Sequence, residues 1–96
     1  MSFEVDTAEV KRVAKEIKAI AGEVRQLSRS NVSRMQSNVE ENLKGDTANA
    51  IMEVLQDLSN DITKIGSGLD TIQRELMEYV KRLEAADRAA SELIEG

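Results

Sequence analysis

The chain has no cysteine, no histidine, no proline and no tryptophan. Without Cys there are no disulfides and no thiolate chemistry, and without Cys or His the usual zinc sites are excluded. A nucleophile activated by a histidine base is excluded as well. Carboxylates remain, but no Asp-rich loop with a glycine at its turn is present to hold calcium. The residue types that a catalytic or cofactor site needs are mostly missing, so the expectation is a non-enzymatic protein with no cofactor and no metal. Aromatics are nearly absent too: Phe3 and Tyr79 are the only two, so any core is built from Leu, Ile, Val and Met. With no proline, the five glycines are the only strong helix breakers. Long apolar runs are also lacking. Nothing approaches the roughly 18 residues of a membrane span, so no membrane insertion is expected. The opening MSFEVDTAE is acidic and does not read as a secretory signal. If the protein leaves the cell, another route must carry it.

What is present is a foldable composition, 41% hydrophobic and 32% charged. At 96 residues a single domain over 1–96 is expected. The net charge of −5 is uneven: residues 1–45 carry +1 and residues 46–96 carry −6. An acidic chain with two aromatics is a poor binder of nucleic acid and of anionic lipid. The simplest reading of the acidic half is a solvated helix face.

The hydrophobic pattern predicts two long helices. Helix one, about 6–41, opens at Asp6, with Glu9 at capping-box spacing. Val10, Val13, Ile17, Ile20, Val24 and Leu27 then alternate spacings of three and four, the narrow seam of a coiled coil. Continuing that heptad lands on Asn31 and Arg34, whereas the apolar residues sit at Val32, Met35 and Val39. A phase slip is therefore expected between them, a local change of winding and not a break. The turn falls at about 42–46, where Gly45 suits a left-handed helix cap and Asp46 or Thr47 caps the next helix. Helix two, about 47–94, carries Ile51, Leu55, Leu58, Ile62, Ile65, Leu69, Ile72, Leu76, Tyr79, Leu83, Ala86, Ala90 and Leu93 in unbroken phase. Gly66 and Gly68 each cost about 1 kcal/mol against Ala. The seam keeps its phase across them, so one continuous helix with a soft point is expected, and three helices broken there is the alternative.

A short connection makes the helices antiparallel. Two helices alone make a poor core, and with no disulfide or metal the remaining remedy is oligomerisation. In helix two, Leu predominates at the a positions (Leu55, Ile62, Leu69, Leu76, Leu83). Ile predominates at the d positions (Ile51, Leu58, Ile65, Ile72, Tyr79). That choice favours more than two strands. The expected fold is all-α: an antiparallel two-helix hairpin pairing into a four-helix bundle as a dimer. Its partner interface comprises the helix-one seam Val10, Val13, Ile17, Ile20, Val24 and Leu27, and from helix two Ile51, Leu55, Leu58, Ile62, Ile65, Leu69, Ile72 and Leu76. With the turn near residue 44 and about 1.5 Å per residue, helix one should run out opposite about residue 82. Leu83, Ala86, Ala90 and Leu93 would then overhang.

This layout resembles the WXG, or ESAT-like, family of small proteins exported by type VII secretion systems. The family's members are helical hairpins with a Trp-x-Gly turn that dimerise into four-helix bundles. Leu43-Lys44-Gly45 sits where Trp-x-Gly would be, with Leu43 in place of the Trp, and small residues follow at Ala48 and Ala50. The family's export signal is Tyr-x-x-x-Asp/Glu late in helix two. Here Tyr79 is followed at that spacing by Leu83, and Asp87 follows Leu83. The resemblance thus implies a divergent member, either with a variant export signal built on Tyr79, Leu83 and Asp87 or, as an accessory partner, with a signal shared with or supplied by another chain. The plain alternative for Tyr79 is a seam residue whose hydroxyl reaches the bundle edge.

Two functions follow. In the first, the protein is a type VII secretion substrate or an effector-targeting partner acting by helical recognition. Its partner is a second copy, a similar helical protein or a larger effector's helical domain, with the secretion ATPase as a further contact. It would be cytoplasmic before export, then secreted or at the cell surface by a route that needs no signal peptide. In the second, it is a cytosolic coiled-coil adaptor unrelated to secretion.

Overall fold

A computed structural model describes residues 6–95 of the chain. Among these, only Asp6, Leu43 and Lys44 lie outside a helix. The first arm is α1 (Thr7–Gln26), one turn of π-helix (Leu27–Val32) and α2 (Ser33–Asn42). The second arm is α3 (Gly45–Glu95), 51 residues long. The architecture is an all-α helical hairpin.

Each boundary has a local cause. Asp6 is extended and its Oδ1 accepts from the backbone N–H groups of Ala8 and Glu9 at 3.1 and 3.2 Å, satisfying donors that the first turn leaves unpaired. The reciprocal half of a capping box is replaced: the Glu9 carboxylate is instead taken by Arg12, whose Nε donates to it at 3.1 Å. At the other end of the arm, the Leu43 N–H closes on the Val39 carbonyl at 2.9 Å. Leu43 then leaves the helix at φ −124°, ψ 153°. Gly45 has φ +75°, a conformation nearly closed to residues with a Cβ.

The π turn is the phase slip in physical form. A π turn holds one more residue than an α turn. Before it, Ala14, Ala21 and Ser28 repeat every seven residues toward α3; after it, the row resumes at Val32 and Val39. The inserted residue converts a register that would bury Asn31 into one that buries Val32, 2% exposed. Backbone angles on both sides stay helical, so the arm changes winding without breaking. The Ser33 hydroxyl helps, donating to the Ser28 carbonyl five residues back at 3.4 Å.

Helix α3 is continuous through Gly66 and Gly68. At about 1.5 Å per residue, 51 residues span about 76 Å, which matches the 76 Å long axis of the molecule. A sharp bend would have shortened it. The cross-section of 21 × 16 Å holds two helices side by side, and among the described residues nothing lies over either face.

Candidate functional site

The seam between the arms sorts every apolar position. Near the turn, Val32, Val39 and Leu55 form a buried cluster with Ala48, Ile51, Met52 and Ile62 packed against it. Further out the buried residues are small: Ala14 and Ala21 are fully enclosed, Gly66 is buried on α3, and Val80 is 1% exposed. Small side chains let two helix backbones approach closely, with Ser28 and Ser59 joining hydroxyls across the gap. At Gly66 the Arg25 side chain lies across the bare backbone and ion-pairs with Asp70 on the next turn.

The expected partner-interface residues therefore divide. Leu55, 8% exposed, lies in the hairpin's own core with Val32 and Val39. Val10, Val13, Ile17 and Val24 on the first arm are half-buried, as are Ile51, Ile62, Leu69 and Leu76 on the second. Exposed outright are Ile20 (48%), Leu27 (47%), Leu58 (40%), Ile65 (55%), Ile72 (47%) and Tyr79 (41%). These recur every seventh residue on each arm: the d positions of α3 from Leu58 onward, and on α1 the row that begins at the half-buried Val13.

Helical geometry places both rows on one side of the hairpin. The pairs Lys11–Glu84 (2.7 Å) and Arg25–Asp70 mark one edge of the seam. Lys11 and Arg25 lie three residues before Ala14 and Ser28, which turns them to one side of the contact line. Val13, Ile20 and Leu27 lie one residue before it, about 100° the other way. The same arithmetic in the opposite chain direction sets Leu58, Ile65, Ile72 and Tyr79 against Asp70 and Glu84. The molecule thus has an ion-paired edge and, opposite, an apolar face.

The surface area measures the deficit. A compact monomer of 10.6 kDa exposes about 5,500 Å², whereas this chain exposes 7426 Å². The excess of roughly 2,000 Å² is larger than the ~800 Å² that each partner buries in a standard interface.

The far end differs from expectation in one respect. Leu83 is half-buried and Glu84 pairs with Lys11, so the overhang starts beyond residue 84. Side chains on a helix lean toward its N-terminus, which in an antiparallel pair carries Lys11 further along α3 than its backbone reaches. Residues 85–93, Ala86, Ala90 and Leu93 included, are exposed throughout. Tyr79, Leu83 and Asp87 occupy successive turns of α3, with Tyr79 and Asp87 exposed. At the other end Leu43 is 39% exposed beside Gly45.

Charge at the first turn of α1 is locally settled. Arg12 bonds Glu9 and ion-pairs with Glu16, holding the Glu9 carboxyl below its ordinary value through that hydrogen bond first and its charge second. Among the described residues there is no cluster of three or more carboxylates that could hold a metal. No helix of the described residues is long and apolar enough to cross a membrane.

A sequence model described as proteins of 100 residues with WXG matches residues 2–88, nearly the whole chain. The chain belongs to the WXG100 family. No curated protein and no solved structure matches it. As a WXG100 protein it is a small, type VII secretion-associated chain, of a family whose members are small secreted helical proteins and not known enzymes. The type VII route is independent of a signal peptide. WXG100 proteins typically form helical dimers, and this hairpin is compatible with that.

Four buried seam residues lie outside the large apolar heptads: Ala14, Ala21, Gly66 and Val80. For the first three the signal is the seven-residue repeat of small residues, Ala14-Ala21-Ser28 against Ser59-Gly66, which carries no large apolar side chain.

Proposed function

We propose that this WXG100 protein is a type VII secretion substrate or an effector-targeting partner that works by helical-bundle recognition. It is a single hairpin domain over residues 1–96. Its apolar face, centred on Val13, Ile20 and Leu27 with Leu58, Ile65, Ile72 and Tyr79, is the surface on which another helical chain completes a four-helix bundle. The observation that carries this reading is that face: apolar residues in heptad phase on both arms, exposed on one side of a chain with a family match over residues 2–88. The end of α3, with Tyr79, Leu83 and Asp87, is then the element presented to the export ATPase. The protein is made in the cytoplasm and leaves as part of the bundle, to the medium or the cell surface.

The test is an export assay in a cell with an active type VII system. Ile65→Asp with Ile72→Asp should abolish export while the helical circular dichroism of the purified chain is retained. Asp87→Ala and Leu83→Ala should reduce export without weakening bundle formation. Normal export of the face variant would remove the bundle from the mechanism. Normal export of both end variants would remove the signal assignment.

A further inference from the structure

The apolar face has rims, and their charge selects its occupant. On each arm the residue three places after a face residue lies on the outer rim, about 60° beyond it. After Val13 and Ile20 these are Glu16 and Glu23, with Glu9 one heptad earlier in the same row. After Leu58, Ile65, Ile72 and Tyr79 they are Asp61, Gly68, Glu75 and Arg82, and after Leu27 the rim residue is Ser30. The rims are therefore net acidic on both arms: Glu9, Glu16 and Glu23 on the first, partly offset by Arg12, and Asp61 and Glu75 against Arg82 on the second, with Ser30 and Gly68 neutral. On the opposite side of the seam α1 carries Lys11, Lys18 and Arg25, of which Lys11 and Arg25 are ion-paired with α3. The first arm keeps its basic row for its own hairpin and turns its acidic row toward the open face.

We infer that the occupant of the face is a different helical chain whose rims are basic, and not a second copy of this one. This rests on the reading of the face as a bundle interface. Two copies related by a two-fold axis meet in one of two ways: α1 against the partner's α3, or like arm against like. Both bring acidic rim to acidic rim. Like charges flanking a helical interface select against that pairing, as complementary ones select for it.

A basic-rimmed probe is available in the chain itself. Glu16→Lys, Glu23→Lys, Asp61→Lys and Glu75→Lys together reverse the rims and touch only exposed positions. The unmodified chain and this variant, mixed in equal amounts at low salt, should form a mixed dimer with affinity about tenfold or more tighter than unmodified self-association. Light scattering and an affinity tag on one chain read the result. Self-association of the unmodified chain should strengthen as sodium chloride rises, because salt screens the opposing rims. Self-pairing as tight as the mixed pair, or weakened by salt, overturns the assignment of a basic partner and leaves a second copy as the occupant. No dimer in the mixture or at high salt, with both chains helical, overturns the bundle reading as well. If the variant is not helical, the salt series on the unmodified chain decides alone.

Discussion

The two halves of this hairpin are held by different means. Near the turn, Val32 and Val39 meet Leu55, with Ile51, Met52 and Ile62 around them, a side-chain core in miniature. Toward the open end the contact runs through Ala14, Ala21 and Gly66, closed by Val80 and two ion pairs with half-exposed side chains. Branched side chains bury more apolar area per contact than alanine or glycine does. Alanine and glycine bring backbones together but bury little, and exposed ion pairs add about 0–1 kcal/mol each. The turn half is the part of the hairpin with a side-chain core of its own, while the open half relies more on whatever covers the apolar face.

Breaking the turn half should have the largest effect. Leu55→Ala should cost about 2–3 kcal/mol, because a buried leucine is lost from a cluster with few members to collapse into the space. Chemical denaturation followed by circular dichroism measures it, and a cost below that of Val24→Ala would invert the comparison. Gly45→Ala should cost about 1–2 kcal/mol: the added Cβ meets nothing within 4 Å, so the whole effect is the backbone at φ +75°. At the open end, Asp6→Ala should cost about 1 kcal/mol by removing the cap, seen as faster amide exchange at Ala8 and Glu9.

Gly68→Ala sharpens the contrast from the other direction. Its Cβ also meets nothing within 4 Å, and the helix there is regular. The substitution should raise stability by about 0.5–1 kcal/mol. At Gly66 the same change places a Cβ 3.2 Å from Arg25 Cγ, so the gain should be smaller. Thermal melts of the pair read the difference, and equal gains would mean Arg25 does not lie across α3 in solution. The smallest effect belongs to the Glu9–Arg12 pair. The folded carboxyl of Glu9 is held below its ordinary value, so what it contributes is present at neutral pH and is lost only as pH falls through that lowered value. Glu9→Gln should leave the melt at neutral pH essentially unchanged and flatten a shallow acid-side slope, visible in an acid titration by circular dichroism.

Much of this was legible in the residues. The heptads of α3 gave a continuous helix because phase was kept from Ile65 to Leu69 across two glycines. Gly45 marked the turn, and the one-residue slip from Asn31 to Val32 anticipated the π turn, since a fixed backbone period cannot absorb an extra residue otherwise. The contact through small residues was less visible. Alanine does not stand out beside large apolar side chains, yet Ala14 and Ala21 are fully buried between the helices, and that choice turns Ile20 and Leu27 outward. The reach of Lys11 to Glu84 was missed because a rise per residue counts backbone and ignores the lean of a long side chain.

The central claim is that the face carrying Leu58, Ile65, Ile72 and Tyr79 is covered by another helical chain in the cell. Because the chain has no cysteine, a single introduced thiol reports its own surroundings. The measurement is the alkylation rate of Ile65→Cys, on the face, against Lys64→Cys, on the outer side of α3, in cells and on the purified dilute chain. Coverage predicts that the thiol at 65 is slowed about tenfold or more in cells while the thiol at 64 reacts alike in both settings. Equal reactivity of the two in cells would contradict it, leaving the apolar face open to solvent and the hairpin without a partner.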